Sequence, residues 1–223
     1  MRIGVITFPG SNCDQDILRT LKEQFQAEAE MLWHRDSIAG GFDLLVVPGG
    51  FSYGDYLRAG AIARFAPAMN SLLDHVRRGG PALGICNGFQ ILCEAGLLPG
   101  ALIRNAGLKH ICKNVTIRAN TNNRFLSALP AGREYSIPIS HSDGNYRIEP
   151  DELARIQDQN QIAFTYNGNP NGSVADIAGV TDREHRVLGM MPHPERAVNP
   201  LLGGVDGRPL LECILAHCRT AVG

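Results

Sequence analysis

The chain has 223 residues, 44% of them hydrophobic, and 21 basic against 22 acidic side chains give it a formal net charge of −1. A chain of this length buries about 70% of the surface its unfolded form exposes, enough for one domain without disulfides, and so balanced a charge leaves no basic surplus for gripping nucleic acid. No apolar run is long enough to span a bilayer, and the six cysteines have no zinc-ligand spacing, so no metal site is expected and a reducing cytoplasm is the expected location.

Taken in chain order, the first half alternates apolar strands with amphipathic helices. Met1 to Phe8 reads as a strand without the features of a signal peptide. The pattern then predicts a helix from Asp14 to about Ala29, capped by Asn12 or Asp14, and strands over Ala29 to Trp33 and Phe42 to Val47. A helix from Ala61 to about Arg77 precedes a short strand, Pro81 to Ile85, and a further helix, Gly88 to Ala95, ends before Gly96. This βαβ order predicts an open, mostly parallel sheet with helices on both faces. After Gly100, shorter strands over Cys112 to Arg118, Glu134 to Ile139 and Ile162 to Tyr166 predict an antiparallel extension, and a last helix runs from about Pro209 to Arg219. With no linker, repeat or low-complexity segment, residues 1–223 are expected to form a single domain.

Two motifs carry chemistry. In Gly84-Ile85-Cys86-Asn87-Gly88-Phe89-Gln90 a cysteine sits on the bend between a buried strand and a helix. Glycines two places before and two after it remove Cβ atoms that would clash as strand and helix fold back, which is the pattern of a nucleophile elbow. Cys86 then stands at a helix N-terminus, where unpaired N–H groups and the helix dipole favour negative charge. Near the other end, the buried-strand pattern Val187 to Met191 runs into Pro192-His193-Pro194-Glu195. This places a histidine and a carboxylate where a cysteine hydrolase needs its base and the group that orients it. Pro48-Gly49-Gly50 also follows a strand, so three loops are expected to converge at the carboxyl ends of the sheet. There the N–H groups of Gly50 and Asn87 suit an oxyanion hole, although Gly49 remains open as the donor. Cys13 also begins a helix after a strand but lacks flanking glycines, and reads as a loop or packing thiol. Cys93, two turns below Cys86, reads as core, while Cys112, Cys213 and Cys218 fit strand or helix interiors.

These motifs resemble the class I (triad) glutamine amidotransferases. Pro48 to Ala61, Tyr166 to Ser173 and Phe8 to Asp14 are similar, within that family, to the glutaminase subunits of phosphoribosylformylglycinamidine synthase, and the resemblance covers nearly the whole chain. It implies a catalytic triad of Cys86, His193 and Glu195, an oxyanion hole of Gly50 and Asn87, and glutamine contacts from Gln90 and the Ser142 backbone. The loop around His141 departs from the family pattern, with Ser142 and Asp143 where glycine and glutamate are usual. No phosphate loop or second catalytic constellation is present. The resemblance therefore implies no cofactor on this chain. ATP and Mg would be used by a partner synthetase subunit, which receives the ammonia in the presence of a small bridging subunit. The alternative readings are a stand-alone hydrolase of γ-glutamyl compounds and a non-catalytic binding subunit.

Overall fold

The computed structural model describes residues 1–221. Five strands are parallel neighbours: Arg2–Thr7 (β1), Glu28–Trp33 (β2), Leu44–Val47 (β3), Ala82–Ile85 (β4) and, from late in the chain, Val187–Met190 (β11). They lie side by side in the order β2-β1-β3-β4-β11. Every residue of β3, β4 and β11 is buried, as expected of parallel strands covered on both faces. Beyond β11 the sheet continues antiparallel through Ile177–Thr181 (β10), Ile162–Asn167 (β9), Ile111–Ala119 (β6) and Glu134–His141 (β7). In β7 burial alternates along most of the strand, the signature of a strand with one solvated face. Two short strands, Ala101–Ile103 (β5) and Asn145–Arg147 (β8), make a separate antiparallel pair.

The helices are Asp14–Phe25 (α1), Pro67–Arg77 (α2), Asn87–Glu94 (α3), Pro150–Asp158 (α4) and Gly207–Ala221 (α5). Helix α3 packs on β3, β4 and β11, and α1 on β1 and β2. Because β2 lies on one side of β1 and β3 on the other, the chain leaves the ends of β1 and β3 in opposite directions and opens a crevice between them. There Ser11 bridges to Gly50, and the Cys13 N–H donates to the Gly49 carbonyl at 3.2 Å.

The mostly parallel sheet with an antiparallel extension is as the sequence predicts, whereas several local expectations are corrected. Helix α1 is capped at Cys13, with no side-chain cap bond, rather than by Asn12 or Asp14. It ends at Phe25 because Gln26 turns left-handed (φ 50°) and the Ala27 N–H closes onto the Leu21 carbonyl at 3.0 Å. The expected helix from Ala61 to Arg77 is broken. Pro67 holds Ala66 extended (ψ 145°), leaving a short 3₁₀ turn at Ala63–Phe65 and starting α2 afresh with proline at its first position. Cys112 is exposed and Cys93 half-buried rather than interior, while Cys213 and Cys218 are buried, and all six thiols are free.

The bend between β4 and α3 depends on close backbone approach. A Cβ on Gly88 would collide with the Val47 carbonyl of β3, and one on Gly84 would lie 2.7 Å from the Gly88 carbonyl carbon. Gly88→Ala should therefore destabilise the fold by about 3 kcal/mol, the upper range for overpacking, whereas Gly107→Ala, with nothing within 4 Å, should be near neutral. Denaturant unfolding of the two variants checks this.

Candidate active site

Cys86 occupies the turn between β4 and α3 with φ 52° and ψ −106°, a conformation rare for any residue other than glycine. Its N–H donates to the Met190 carbonyl of β11 at 2.8 Å, and its buried sulfur lies 3.6 Å from the Ser140 carbonyl. Asn87 opens α3, so its N–H is one of the unpaired donors at the helix start.

β11 pairs in parallel with β4, Gly189 beside Gly84, so its end reaches the same edge of the sheet as the cysteine. His193 follows, its N–H donating to the Pro138 carbonyl at 2.9 Å. The His193 Nδ1 and Glu195 Oε1 are 2.7 Å apart, with the two side chains 1% and 0% exposed. Nδ1–H donates its hydrogen bond to the carboxylate, and the buried Nε2 has no hydrogen-bond partner. Burial opposes charging of this imidazole, but Glu195 and then the Cys86 and Cys13 sulfurs outweigh it, so its pKa stands well above the ordinary value. The Glu195 carbonyl accepts from the Thr20 hydroxyl at 3.1 Å, tying this turn to α1.

In front of Cys86 lies a cavity of about 170 Å³, lined among others by Gly50, Gln90, Ser142, Asp55, Arg104 and Asp143. Gly50 has φ 152°, and a Cβ there would lie 2.7 Å from Ser11 Cα. Gly50 lines this cavity; Gly49 instead faces His193, where a Cβ would meet Cε1 at 2.7 Å. The Asn87 side chain joins the walls: Oδ1 accepts from the Ser52 N–H at 3.0 Å, and Nδ2 donates to Asp55 Oδ1 at 3.1 Å and Gln90 Oε1 at 2.8 Å. Gln90 Nε2 in turn donates to the Asp143 carbonyl at 2.6 Å. Burial raises the Asp55 carboxyl to about 6, with the Asn87 bond opposing and Asp143 adding to the rise. His141 is buried against the same cavity and drops to about 4 through burial and the neighbouring His193 and His110.

The structure thus brings Cys86, His193, Glu195, Gly50, Asn87, Gln90 and Ser142 to one place. It adds Asp55 and Arg104 to the lining, and brings in Asp143 from the loop that departs from the family pattern. It also brings in Cys13, 3% exposed, whose sulfur accepts from Arg196 Nη2 at 3.1 Å while Arg196 Nε pairs with Asp16 at 3.0 Å. Ligand atoms of Cys13, His193 and Glu195 lie within 4.8 Å of one another, although the cysteine spacing contains no metal signature. The position of Cys13 after β1, at the crevice, was the available clue.

A strand-end cysteine on a strained turn, beside a buried histidine–carboxylate pair, is the layout of a cysteine-dependent amidotransferase. Residues 1–203 match the family of CobB/CobQ-like glutamine amidotransferase domains, and the chain belongs to it. It is 52% identical over 217 residues to phosphoribosylformylglycinamidine synthase subunit PurQ of Leptospira interrogans, covering 96% of this chain and 99% of that protein. A protein of the same name from Cereibacter sphaeroides is 53% identical over 217 residues, with 96% and 97% covered. The structure of PurLQS from Thermotoga maritima holds a chain 39% identical that superposes with a TM-score of 0.88 over 97% of this chain and 98% of that one. A glutamine amidotransferase from Thermotoga maritima, 17% identical with a TM-score of 0.57 over 99% of this chain and 93% of that one, shares the fold.

The His193 imidazolium is present below its raised pKa and lost as pH rises through it. Glu195→Gln removes a raising charge, so the loss should move about 1 to 3 pH units lower. An NMR titration of the His193 ring in both proteins measures the shift.

Proposed function

We propose that this chain is the glutaminase subunit of phosphoribosylformylglycinamidine synthase. It works in the cytoplasm, hydrolyses glutamine to glutamate and ammonia, and passes the ammonia to a synthetase subunit that uses ATP and Mg and is joined by a small bridging subunit. The observation that carries this reading is the strained Cys86 turn set in register beside the strand that ends in His193 and Glu195. The names borne by the relatives support the choice of synthase.

In this mechanism the Cys86 sulfur, its proton held by His193, attacks the side-chain amide carbon of glutamine. The developing oxyanion rests on the N–H groups of Gly50 and Asn87. His193 protonates the departing ammonia and leaves a γ-glutamyl thioester. It then takes a proton from water, whose attack on the thioester releases glutamate, while Glu195 holds the ring through Nδ1. Gln90 and the Ser142 backbone wall the glutamine seat. The α-carboxylate faces Arg104, and the α-ammonium faces Asp55 and Asp143, where a positive charge relieves the burial that raises Asp55.

The rim of the seat fits a partner-dependent enzyme. Phe51, Tyr56 and Leu57 are 44%, 74% and 89% exposed there. Tyr53 is instead held inward, its hydroxyl 2.6 Å from His34 Nδ1. Tyr53, Gly54, Asp55 and Leu57 all have positive φ, a strained loop next to the oxyanion donors. Arg58 anchors its far end to Glu94 at the end of α3 through two bonds of 2.6 Å.

Cys86→Ser should lower glutamine-dependent synthase activity of the reconstituted complex by about 10⁴-fold or more, leaving turnover with ammonium salts intact. Loss of both would sink the assignment. Asp55→Asn should raise the KM for glutamine by about tenfold or more, through loss of a charged hydrogen bond, with a much smaller change in kcat. Glutamate release by the chain alone should be slow and rise on addition of the synthetase and bridging subunits with ADP and acceptor. Equal rates with and without them would favour a stand-alone hydrolase.

A further inference from the structure

The base is oriented from one side only. Among the described residues the buried His193 Nε2 has no hydrogen-bond partner, so the ring takes its orientation through Nδ1 and the 2.7 Å bond to Glu195 Oε1. The second carboxylate oxygen, Oε2, is buried without a partner as well, and no bond from it fixes the side chain. Placement of Glu195 therefore falls to its backbone, which lies in the 3₁₀ turn Pro194–Arg196 and outside the sheet. Helix α1 supplies the bonds. Cys13, Asp16 and Thr20, spaced three and four residues apart, share one face at its start. The Thr20 hydroxyl, 5% exposed, donates to the Glu195 carbonyl at 3.1 Å, while Arg196 donates through Nε to Asp16 at 3.0 Å and through Nη2 to Cys13 Sγ at 3.1 Å. The other ties of the segment, His193 N–H to Pro138 and Gly207 N–H to Ala197, flank Glu195 without reaching it. A hollow of about 280 Å³ borders Thr20, Glu195 and Arg196, so polar bonds rather than close packing hold the turn there.

We propose that Thr20 and Asp16 are positioning residues for the general base, with helix α1 as the rigid reference that fixes the His193–Glu195 pair relative to the Gly49–Gly50 loop. The inference rests on the reading of Cys86 and His193 as the nucleophile and base of a glutaminase. Thr20 acts through the Glu195 backbone and Asp16 through Arg196, and neither lines the cavity in front of Cys86. The same helix start holds the other loop, because the Cys13 N–H donates to the Gly49 carbonyl at 3.2 Å and Ser11 bridges to Gly50. One element thus sets the separation of the base from the loop that carries the Gly50 N–H. That separation matters because His193 must meet the departing nitrogen while the amide oxygen rests on its donors, and a misplacement of about 1 Å can cost about 10²-fold in rate. Loss of the Thr20 bond leaves the glutamine seat untouched, so it should show in kcat and not in KM.

The test uses the whole chain assembled with the synthetase and bridging subunits, and reads glutamate release at limiting and saturating glutamine. Thr20→Val, of similar size but without the hydroxyl, should lower kcat by about tenfold or more with KM within about twofold of wild type. Thr20→Ser, which keeps the hydroxyl, should restore most of the loss. Asp16→Ala, at a half-buried position where folding is little at risk, should lower kcat in the same way by about threefold or more. Arg19→Ala, on the same helix but paired with Glu23, should change neither constant. Unchanged kcat in folded Thr20→Val and Asp16→Ala, a loss that falls on KM, or a Thr20→Ser no better than Thr20→Val would overturn the inference while leaving the glutaminase reading in place. A wild-type complex that releases no glutamate would sink that reading and the inference with it.

Discussion

The rest of the site depends on a backbone held where it would not rest alone. A cysteine at φ 52° and ψ −106° costs about 1 to 3 kcal/mol. It persists because β4 is clamped between two parallel neighbours and because the glycines on either side of Cys86 have no Cβ atoms to clash. The Cys86 N–H is tied to β11 through the Met190 carbonyl, and Gly88 lies against the Val47 carbonyl of β3. The strain thus points the sulfur off the end of the sheet, away from the core that generates it.

The same parallel pairing sets the electrostatics. Since β11 ends level with β4, His193 and Glu195 enter a site from which water is largely excluded, and there a carboxylate 2.7 Å from a ring nitrogen acts far more strongly than at a surface. Burial alone would keep the imidazole neutral, and the nearby acceptors reverse that preference. His141 shows the other outcome: also buried but facing two further histidines, it is driven towards its neutral form. Two histidines close in space are thus separated in titration by the charges around them, which marks His193 as the one able to hold a proton.

The substrate side of the cleft is built differently, from loops joined by amide side chains. Asn87 links the 52–55 turn to α3, and Gln90 links α3 to Asp143. A displacement of the strained 53–57 loop is therefore felt at Asn87, the residue that follows Cys86 and opens α3. This continuity gives a physical route by which a protein docked on the exposed rim could adjust the site without touching the cysteine.

Much of this was legible in the chain itself. Glycine spacing around Cys86, the prolines around His193 and the alternation of apolar strands with helices are local features, fixed by sterics and hydrogen bonding within a few residues, and they suffice to place the elbow, the histidine turn and the parallel sheet. Even locally the pattern fails where a single residue overrides it, as Pro67 breaks an otherwise continuous helical periodicity and Gln26 ends α1 early. The order of strands β2-β1-β3-β4-β11, the meeting of Asp55, Arg104 and Asp143, and the approach of Cys13 to His193 have no local signature. The sequence determined which residues could serve as nucleophile, base and orienting acid; only the tertiary structure decided which charges and which second thiol surround them, because those neighbours are chosen by how distant strands pair.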